Sequence, residues 1–397
     1  MSAACYDIVT VGGGIGASAL ARAMAERGAK VLVLEQERQF RDRVRGEYVC
    51  PWGVAEAKKL GIFDLLRTNC GTDLPLAEMG FGPRNLIETT PQQAAALSFS
   101  HPEMQEALLA AAENAGAEVR RGAAVQGIES GAEPAVSVQS DGRTERIPAR
   151  FVVAADGRGS AVRKWMGFTV EKNVQPFLFA GVLLTGVAVR QDLAVFVFNP
   201  ELGTIAVVAP QSKGRCRAYF GYPTTAGYRL QGAESLGHFI SECAKVAPVF
   251  AEFHAASKIA GPLATFEGGD VWVDHPYRDG VALLGDAAAT SDPTFGQGLS
   301  LALRGARVLR DELLANSDWD RAGHAYAEQH KIDFHSCHTC TVWFRQLFQE
   351  QSPEAARRRQ VALPLIAGDL MRVPDHIFSG PEMPIGDSVR ARFFGEA

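Results

Sequence analysis

Short apolar runs alternate with helical patterns in the first part of the chain. Residues 7–11 form a β-branched run that leads into a glycine-rich turn, and a helical pattern over residues 18–27 follows, ended by Gly28. Residues 31–34 are a second apolar run of strand length. Strands that alternate with helices are typical of a parallel sheet. The pattern therefore predicts a βαβ unit at the start of the chain.

Two further apolar runs of strand length lie later in the chain. Residues 151–155 lead to Asp156, and residues 281–284 lead to Asp286. Helical patterns follow both, over residues 161–166, with Ser160 as a cap, and 299–314. The other elements predicted in this part are helices over 53–60 and 103–115, strands over 117–120 and 124–128, and a hairpin of 136–139 with 147–151 around Asp141-Gly142.

The pattern changes in the middle of the chain, where apolar strands follow one another with only Gly, Pro and polar turns between them. These strands are predicted over residues 177–189, 193–199, 204–209 and 217–222. Consecutive strands without helices indicate an antiparallel sheet, and therefore a different domain. A helix over 234–253 is expected next, and residues 271–273 are expected to return to the first sheet. The antiparallel sheet is expected to form one wall of a pocket.

These patterns predict an α/β fold in three parts. A Rossmann-type nucleotide-binding domain is expected in three pieces, residues 1–72, 101–172 and 268–316. An inserted antiparallel-sheet substrate domain takes up residues 73–100 and 173–267. The rest, 317–397, is expected to be a helical C-terminal region with helices over 321–348 and 354–358 and a loose, proline-containing tail from residue 361.

The composition of the 397 residues is that of a globular enzyme, with 47% hydrophobic and 21% charged residues. A net charge of −5 gives no basic surface for nucleic acid, so no nucleic-acid partner is expected. Seven cysteines, an odd number, do not indicate a disulfide framework. The first residues lack the pattern of a signal peptide, and the apolar run 177–189 is too short to cross a bilayer. We expect a cytoplasmic protein without stable membrane insertion.

The first turn, GGGIGA at residues 12–17, has the pattern of a dinucleotide-binding fingerprint. Gly12 suits the tight turn, Gly14 allows a pyrophosphate to approach closely, and Ala17 takes the position that packs helix against strand. Glu35 follows about 20 residues later, where a carboxylate can bind an adenosine ribose. The alternative is a glycine-rich turn without a nucleotide, which the matching strands, helix and acid make less favourable.

Residues 285–298, GDAAATSDPTFGQG, place a carboxylate and a helix start at one point. Asp286 can accept hydrogen bonds from hydroxyls, and the first turn of the next helix has unpaired N–H groups and partial positive charge. Together they suit a ligand with a polyol chain and a ring that becomes negative, as a reduced flavin does. The alternative is an ordinary strand–loop–helix turn.

The charged stretch 41–51, RDRVRGEYVCP, has two interpretations. It is either a solvated loop or a segment from which Arg43 or Arg45 reaches the phosphates or ring edge of a cofactor, and the sequence does not choose between the two arginines. For Glu47 and Cys50, a surface carboxylate and an inert core thiol are favoured over pocket residues.

Histidines and cysteines also cluster in the predicted helix 321–348. They spread around the helix and lack the spacing of known metal motifs, so a packed amphipathic helix is favoured and no metal site is predicted.

Three motifs together resemble those of a known family. GGGIGA near the N-terminus, ADGRGSAVR at residues 155–163 and GDAAATSDPTFGQG at 285–298 are similar, in order and spacing, to the single-component FAD-dependent monooxygenases of the para-hydroxybenzoate hydroxylase fold. The resemblance covers roughly residues 5–172 and 268–316. It implies FAD as cofactor.

By this resemblance, Gly12, Gly14 and Glu35 hold the ADP part of FAD, and the backbone at Val125 lies by the adenine. Asp156 organises the pyrophosphate side and is linked to NAD(P)H use. His101 stands where the family usually has an Arg or Gln that contacts FAD, which is a departure from the family pattern.

The same resemblance assigns the flavin end of the site to residues 285–299. Asp286, after Gly285, looks like the ligand of the ribityl chain, and the loop with Pro293, Gly296, Gly298 and Leu299 is expected to lie against the isoalloxazine ring. No catalytic side chain is identified, because the chemistry is expected on the flavin.

The activity implied by the resemblance is the insertion of one atom of O2, by hydroxylation or epoxidation, through a C4a-peroxyflavin after reduction by NADPH or NADH. RVRGE at residues 43–47, with Pro51 and Leu60-Gly61, looks closest to the squalene-epoxidase branch, which indicates a bulky apolar or aromatic small molecule as substrate. The alternatives are a flavin-dependent halogenase, whose Trp-x-Trp-x-Ile-Pro motif is missing, a prenyl-type reductase, whose Trp-x-Phe-Pro motif is missing, and a non-catalytic FAD-binding protein.

Overall fold

The computed structural model describes residues 6–140, 142–173 and 177–396. Its strands, in chain order, are β1 Tyr6–Val11, β2 Val31–Glu35, β3 Tyr48–Val49, β4 Gly71–Leu74, β5 Leu76–Glu78, β6 Pro83–Asn85, β7 Ala96–Phe99, β8 Glu118–Arg121, β9 Ala124–Glu129, β10 Ala135–Ser140, β11 Arg143–Ala154, β12 Glu171–Asn173, β13 Phe177–Thr185, β14 Leu193–Asn199, β15 Thr204–Gln211, β16 Arg215–Pro223, β17 Lys258–Glu267, β18 Asp270–Trp272, β19 Tyr277–Arg278, β20 Val281–Leu283 and β21 Ala289–Thr290.

The α-helices follow the same order. They are α1 Ile15–Ala25, α2 Pro51–Lys59, α3 Phe63–Asn69, α4 Leu86–Thr89, α5 His101–Asn114, α6 Ala161–Trp165, α7 Leu236–Val246, α8 Val249–His254, α9 Gly298–Ala315, α10 Trp319–Phe348, α11 Pro353–Gly368, α12 His376–Ser379 and α13 Asp387–Phe394. Short 3-10 turns at Gly285–Ala287 and Pro293–Phe295 lie between β20 and α9. The mixed α/β fold predicted from the sequence is confirmed.

A sheet with parallel strands in the order β20-β11-β1-β2-β8 organises the first part of the molecule. β19 adds an antiparallel edge strand, and β9 and β10 extend from β11. Val11 lies opposite Ala154 and Leu34, and Ala154 lies opposite Leu283. Because these strands run in the same direction, the residues that follow them meet at one edge of the sheet.

A second sheet of seven strands has the order β17-β13-β16-β15-β14-β5-β6. Its pairs are antiparallel except for β14 with β5. One face packs against α7 and α8 through a core that includes Phe220, Phe239 and Phe250. The opposite face carries an aromatic cluster and is turned towards the first sheet's edge. The predicted antiparallel sheet is confirmed.

Residues 73–100, predicted to belong with the antiparallel sheet, divide between two sheets. β5 and β6 join the seven-stranded sheet, whereas β7 pairs with β4 and with β3 in a small sheet of its own. The domain boundaries themselves stay a prediction. The predicted hairpin forms from β10 and β11, although its turn residue Asp141 lies outside the described residues.

Two predicted strands differ from the structure. Residues 271–273 do not join the parallel sheet, since β20 already occupies the place beside β11; instead β18 pairs with β12 and β21. The strand predicted over 177–189 ends at Thr185, because Gly186 has a φ of +71° and turns the chain away.

Two helical predictions also need correction. The helix expected over 234–253 is divided into α7 and α8, since Ala247, directly before Pro248, is extended with φ −154° and ψ 139°. The tail expected to be loose from residue 361 is instead largely helical and packed. Phe378, Phe393 and Phe394 are buried in one core with Phe344 of α10, and the hydrophobic contact of these rings explains the order of the tail.

Candidate active site

A cavity of about 930 Å³ lies between the carboxyl edge of the parallel sheet and the aromatic face of the seven-stranded sheet. All fourteen candidate cofactor residues line it, and Gly296 of the predicted ring-facing loop does too: Gly12, Gly14, Ala17, Glu35, Arg43, Arg45, His101, Val125, Asp156, Gly285, Asp286, Pro293, Gly298 and Leu299. The structure thus brings together residues separated by up to 287 positions. Their individual roles towards a cofactor are proposals.

The turn between β1 and α1 is tightly packed at Gly12 and open at Gly14. Gly12 has a φ of +97°, and a Cβ atom there would lie 2.5 Å from the carbonyl oxygen of Ala155. At Gly14, by contrast, the nearest heavy atom would be 4.0 Å away, so this face is open to a ligand. No side chain caps the N-terminus of α1, whose first N–H groups are left for an anion.

Glu35, at the end of β2, is held in place by two backbone amides. Its Oε2 accepts a hydrogen bond from the Gly13 N–H at 2.8 Å, and its Oε1 accepts one from the Glu37 N–H at 2.8 Å. Each carboxylate oxygen can accept a second hydrogen bond, so hydroxyl recognition is still possible. The carboxylate is therefore fixed in direction before any ligand binds.

Asp156 has a structural use that the sequence did not indicate. Its carboxylate accepts hydrogen bonds from Ser160 Oγ at 2.6 Å and from the N–H groups of Ala161 and Val162 at 2.7 and 3.1 Å. It thus caps α6, with Ser160 accepting from the N–H of Arg163 at 3.0 Å. Asp156 shapes this side of the cavity through the helix start.

Asp286 lies in the 3-10 turn after β20, and its carboxylate, unlike that of Asp156, does not cap a helix. Within the described ranges its carboxylate has no hydrogen-bond or ion-pair partner, although it lines the cavity. Burial raises the pKa of Asp286, while the positive charges of Arg45 and Arg158 act in the opposite direction. Asp286 is half-buried, and a partly desolvated acceptor without a partner is stabilised when a ligand donates to it.

The loop before α9 brings a second uncapped helix start to the cavity. Gly296 has a φ of +64°, which ends the turn Pro293–Phe295 and directs the chain into α9. No side chain caps α9, and both polar side-chain atoms of Gln297 are buried without a partner among the described residues. This end of the cavity therefore favours negative charge on a ligand.

The structure distinguishes the two arginines that the sequence left open. Arg43 pairs with Glu37 at 2.5 Å and is half exposed. The charge of Arg45 acts on Asp286 and on His101, and its carbonyl oxygen accepts a hydrogen bond from Tyr219 at 2.6 Å. Arg45 is thus the arginine whose charge acts on the Asp286 side of the cavity.

The family of the chain follows from a comparison with known proteins. A protein-family model described as an FAD binding domain matches residues 5–325. The chain belongs to this FAD-binding family. FAD is accordingly its cofactor, and the protein is an oxidoreductase.

Relatives of this FAD-binding protein include both oxygenases and reductases. A rifampicin monooxygenase from Streptomyces venezuelae is 26% identical over 387 residues, 90% of this chain and 75% of that protein. A digeranylgeranylglycerophospholipid reductase from Methanocella arvoryzae is 25% identical over 314 residues, 76% of each. The crystal structure of p-nitrophenol 4-monooxygenase from Pseudomonas putida superposes with a TM-score of 0.78 at 20% identity, covering 92% of this chain and 95% of the other. The fold is that of the FAD-dependent monooxygenases.

The residues of the FAD-binding cavity fit this cofactor. The cradle at Gly12 and Gly14 has room for a pyrophosphate beside an uncapped helix, and Asp286 offers an unpaired acceptor for a hydroxyl. His101 donates from Nδ1 to the Gly46 carbonyl at 2.8 Å, so its Nε2 points away from that bond. Burial lowers the pKa of His101, which keeps the ring neutral at pH 7. His101 thus offers no permanent charge at the position where the resembled family usually has an Arg or Gln.

A buried ion pair beside the FAD cavity was missed from the sequence. Arg217 Nε lies 2.6 Å from Glu47 Oε2, and Arg217 Nη2 lies 2.7 Å from Asp42 Oδ2, so β16 is joined to the charged stretch 41–51. Glu47 also accepts a hydrogen bond from the His101 N–H at 2.8 Å. The interpretation of Glu47 as a surface carboxylate is therefore wrong, since only 2% of it is exposed. The sequence signal that could have indicated this ion pair is Arg217, a charged residue within a predicted apolar strand.

Cys50, in contrast, behaves as an inert core residue. It is fully buried at the start of α2, and burial raises the pKa of its thiol to about 12. The thiol is thus protonated at neutral pH and is a poor nucleophile. In the part of the chain that the structure describes, no group of three or more His, Cys, Asp or Glu side chains could hold a metal ion.

Proposed function

We propose that this protein is an FAD-dependent monooxygenase that transfers one atom of O2 to a bulky apolar or aromatic small molecule, with NADPH or NADH as reductant. The observation that carries the proposal is the cavity's two-sided lining. One side is the polar edge that suits FAD, and the other is an uncharged aromatic sheet face. FAD, when bound and reduced, supplies the activation of O2; the chain supplies binding, orientation and exclusion of water.

The aromatic face belongs to the four neighbouring strands β13, β16, β15 and β14 and to the edge strand β17. Its side chains in the cavity are Phe179, Phe196, Val207, Ala209, Tyr219 and Phe266. Phe179 stacks on Tyr219 with ring centroids 5.3 Å apart, and Phe266 lies edge-on to Phe179 at 5.8 Å. Such a surface excludes water and packs well against a flat apolar body. This supports a neutral substrate of that kind.

The other side of the cavity favours the charge that a reduced flavin carries. The uncapped start of α9 directs N–H groups and partial positive charge at the cavity, and Arg45 adds a full charge nearby. Asp286 accepts hydrogen bonds from ribityl hydroxyls in this assignment. Tyr219 contributes to both sides, because its ring lies on the aromatic face while its hydroxyl holds the Arg45 carbonyl.

A second candidate function is supported by the reductase relatives. A reductase of this fold would saturate a double bond of an apolar substrate and would not use O2. The aromatic face suits an isoprenoid chain as well as a ring, so the lining of the cavity does not separate the two activities.

An isotope experiment separates them. The purified protein with FAD is reduced anaerobically with NADPH, mixed with a panel of aromatic and polyprenyl compounds, and exposed to 18O2. We expect bleaching by NADPH, return of the oxidised spectrum in air, and one 18O atom in a product. A product that gains two hydrogen atoms and no 18O would establish the reductase, and a halide-dependent product would establish a halogenase. FAD that NADPH does not reduce and that yields no product would support the non-catalytic alternative.

A further inference from the structure

The loop of residues 291–298, which carries Pro293, Gly296 and Gly298 into the cavity, is anchored from behind by a buried charge cluster. Asp292 lies in this loop and is 1% exposed. Its Oδ1 accepts a hydrogen bond from the Thr294 N–H at 2.9 Å, which caps the turn Pro293–Phe295. Its own N–H donates to Asp270 Oδ1 at 2.7 Å. The loop is thus tied to β18 through a hydrogen bond from its main-chain N–H to the Asp270 carboxylate.

Asp270 is held in turn by two side chains of α10. Arg345 Nη1 lies 3.1 Å from Asp270 Oδ2, and His338 Nδ1 donates to the same oxygen at 3.1 Å. Arg345 Nη1 also lies 3.5 Å from Asp292 Oδ2. Seven residues separate His338 from Arg345, so both project from the same face of the helix. One face of α10 therefore supplies both side chains that hold Asp270, and the guanidinium of Arg345 also faces Asp292.

Arg345 provides the permanent positive charge that compensates the two carboxylates of this cluster. Asp270, Asp292 and Arg345 are each at most 2% exposed, so two carboxylates share one permanent cation away from water. Burial and the charge of Asp270 raise the pKa of Asp292. Burial would also raise the pKa of Asp270, but His338 and Arg345 hold it below its ordinary value. Without the guanidinium, two buried anions would repel each other directly behind the loop.

Two more contacts connect the same part of α10 to the loop. Gln349 Nε2 donates to Thr294 Oγ1 at 3.2 Å, and Phe344 packs on Phe295 with ring centroids 5.5 Å apart. Arg345 Nε and Nη2 are buried and have no hydrogen-bond partner among the described residues. The guanidinium of Arg345 therefore interacts there only through Nη1, with the carboxylates of Asp270 and Asp292. The contacts of α10 thus converge on a segment of the loop only a few residues long.

We propose that Arg345 is a positioning residue, which through Asp270 and Asp292 sets the position of loop 291–298 against the cofactor. The inference rests on the proposed placement of the flavin ring at this loop. It gives α10, and with it the C-terminal region, a direct part in the flavin site: loss of the cation lets the loop move, and the ring then loses the fixed environment that Pro293, Gly296 and Gly298 provide.

The test uses the FAD-loaded protein with Arg345→Met and Asp270→Asn as the disrupting variants. Arg345→Lys, which keeps the charge, is the rescue. Asp333→Asn is the matched control, since Asp333 is also buried and also pairs with an arginine, Arg304, at 2.9 Å, but does so away from the loop. Amide hydrogen exchange at residues 292–298, the visible spectrum and midpoint potential of the flavin, and the Kd for FAD are measured on each.

We expect Arg345→Met and Asp270→Asn to bind FAD about tenfold more weakly and to exchange the Asp292 amide at least about tenfold faster, with an altered flavin spectrum and potential. Arg345→Lys should restore most of each property. Asp333→Asn should lower thermal stability while leaving the exchange of the loop and the flavin potential unchanged. Should Arg345→Met fail to fold, Asp270→Asn and Arg345→Lys decide the matter through the same measurements.

The inference is overturned if the loop exchange and the flavin properties of the disrupting variants equal those of Asp333→Asn. Exchange of the loop is also measured in FAD-free protein. A wild-type protein that does not bind FAD would refute the proposed function, whereas unchanged loop exchange in the variants would refute only the role of Arg345.

Discussion

Glu35 and Asp286 are carboxylates at or after the ends of parallel strands of one sheet, yet their hydrogen-bonding environments differ. Two backbone N–H groups hold Glu35, whereas the carboxylate of Asp286 has no partner among the described residues and lines the cavity. Removing Glu35 therefore disturbs the turn at Gly13 as well as ligand binding. Removing Asp286 acts on the ligand almost alone.

Asp286→Ala is expected to fold normally and to purify without the yellow colour of FAD. The reason is that the substitution removes a half-buried acceptor with no structural partner among the described residues, so the loss falls on the hydrogen bonds to the cofactor, each about 1.5–3 kcal/mol because the acceptor is charged. FAD binding is measured by titration and folding by circular dichroism. Asp64→Ala, an exposed acid on α3, is the control and should stay yellow. A yellow Asp286→Ala protein with wild-type affinity would contradict the assignment.

The positions of single site residues could be predicted from the sequence where a short local pattern indicates them. Gly12 and Asp286 follow apolar strands and precede helices, so their places could be predicted. The environment of Glu47 could not, because its partner Arg217 is 170 residues away and the pairing depends on how two sheets meet. Arg43 and Arg45 likewise have the same sequence context and both line the cavity, and only the fold pairs Arg43 with Glu37 and leaves the charge of Arg45 to act on Asp286.

At the level of elements, the close packing of α2 against α9 fixes the start of the helix that faces the cavity. A Cβ atom at Gly53 of α2 would lie 2.6 Å from the Cβ of Ser300 and 2.7 Å from Val49 Cγ1. Only glycine permits this approach. Because Ser300 lies in the first turn of α9, the contact also influences the loop that precedes it.

Gly53→Ala is expected to destabilise the protein by about 1–3 kcal/mol, the usual cost of overpacking. Urea unfolding measures the change in the free energy of unfolding, and the double variant Gly53→Ala with Ser300→Gly should recover part of it. The control is Gly237→Ala in α7, where a Cβ atom meets no heavy atom within 4 Å, and there a gain of about 0.5–1 kcal/mol is expected. Equal effects of the two substitutions would show that the helices do not pack in this way.

The errors in element prediction have common physical causes. Helix α7 ends where Pro248 excludes helical geometry at Ala247, a signal that was present in the sequence but given too little weight. The pairing of β18 could not be predicted, because a strand of only three residues can pair with any free edge strand. The order of the tail depends on contacts of Phe393 and Phe394 with distant α10, which no local pattern shows.

At the level of the whole molecule, the C-terminal segment is part of the core. Phe393 of α13 has no exposed surface and lies edge-on to Phe344 of α10 at 5.4 Å. In the part of the chain that the structure describes, no helix combines the length and apolar character needed to cross a membrane. The apolar residues of the tail instead stabilise the protein by packing against α10.

Phe393→Ala should lower the free energy of unfolding by about 3–5 kcal/mol, as expected for a large side chain removed from a packed core. Denaturant unfolding with a far-ultraviolet signal gives the value. Met371→Ala is the control, because Met371 is 79% exposed and its loss should change stability by less than about 0.5 kcal/mol. A small effect of Phe393→Ala would mean that the tail is detached in solution.

The protein is also expected to lose stability in mild acid. Burial lowers the pKa of His254 and of His330 to about 4, whereas in the unfolded chain a histidine has a pKa of about 6.5. Between these values the unfolded state binds more protons, so the stability is complete above pH 6.5 and falls as the pH is lowered towards 4, by up to about 1.4 kcal/mol per pH unit for each histidine.

Urea midpoints between pH 7 and pH 5 test this expectation. The double variant His254→Leu with His330→Leu should show a shallower fall than the wild type. Parallel pH profiles for the wild type and the double variant would exclude these two histidines as the source.

The order of the parallel sheet has a consequence for biosynthesis. β20, which borders β11, and the loop that follows it are translated well after β1, β2 and β11. A nascent chain that stops before residue 281 has the turn for the pyrophosphate but lacks Asp286 and the start of α9. A chain that stops before residue 281 is therefore expected to bind FAD poorly and to be released colourless.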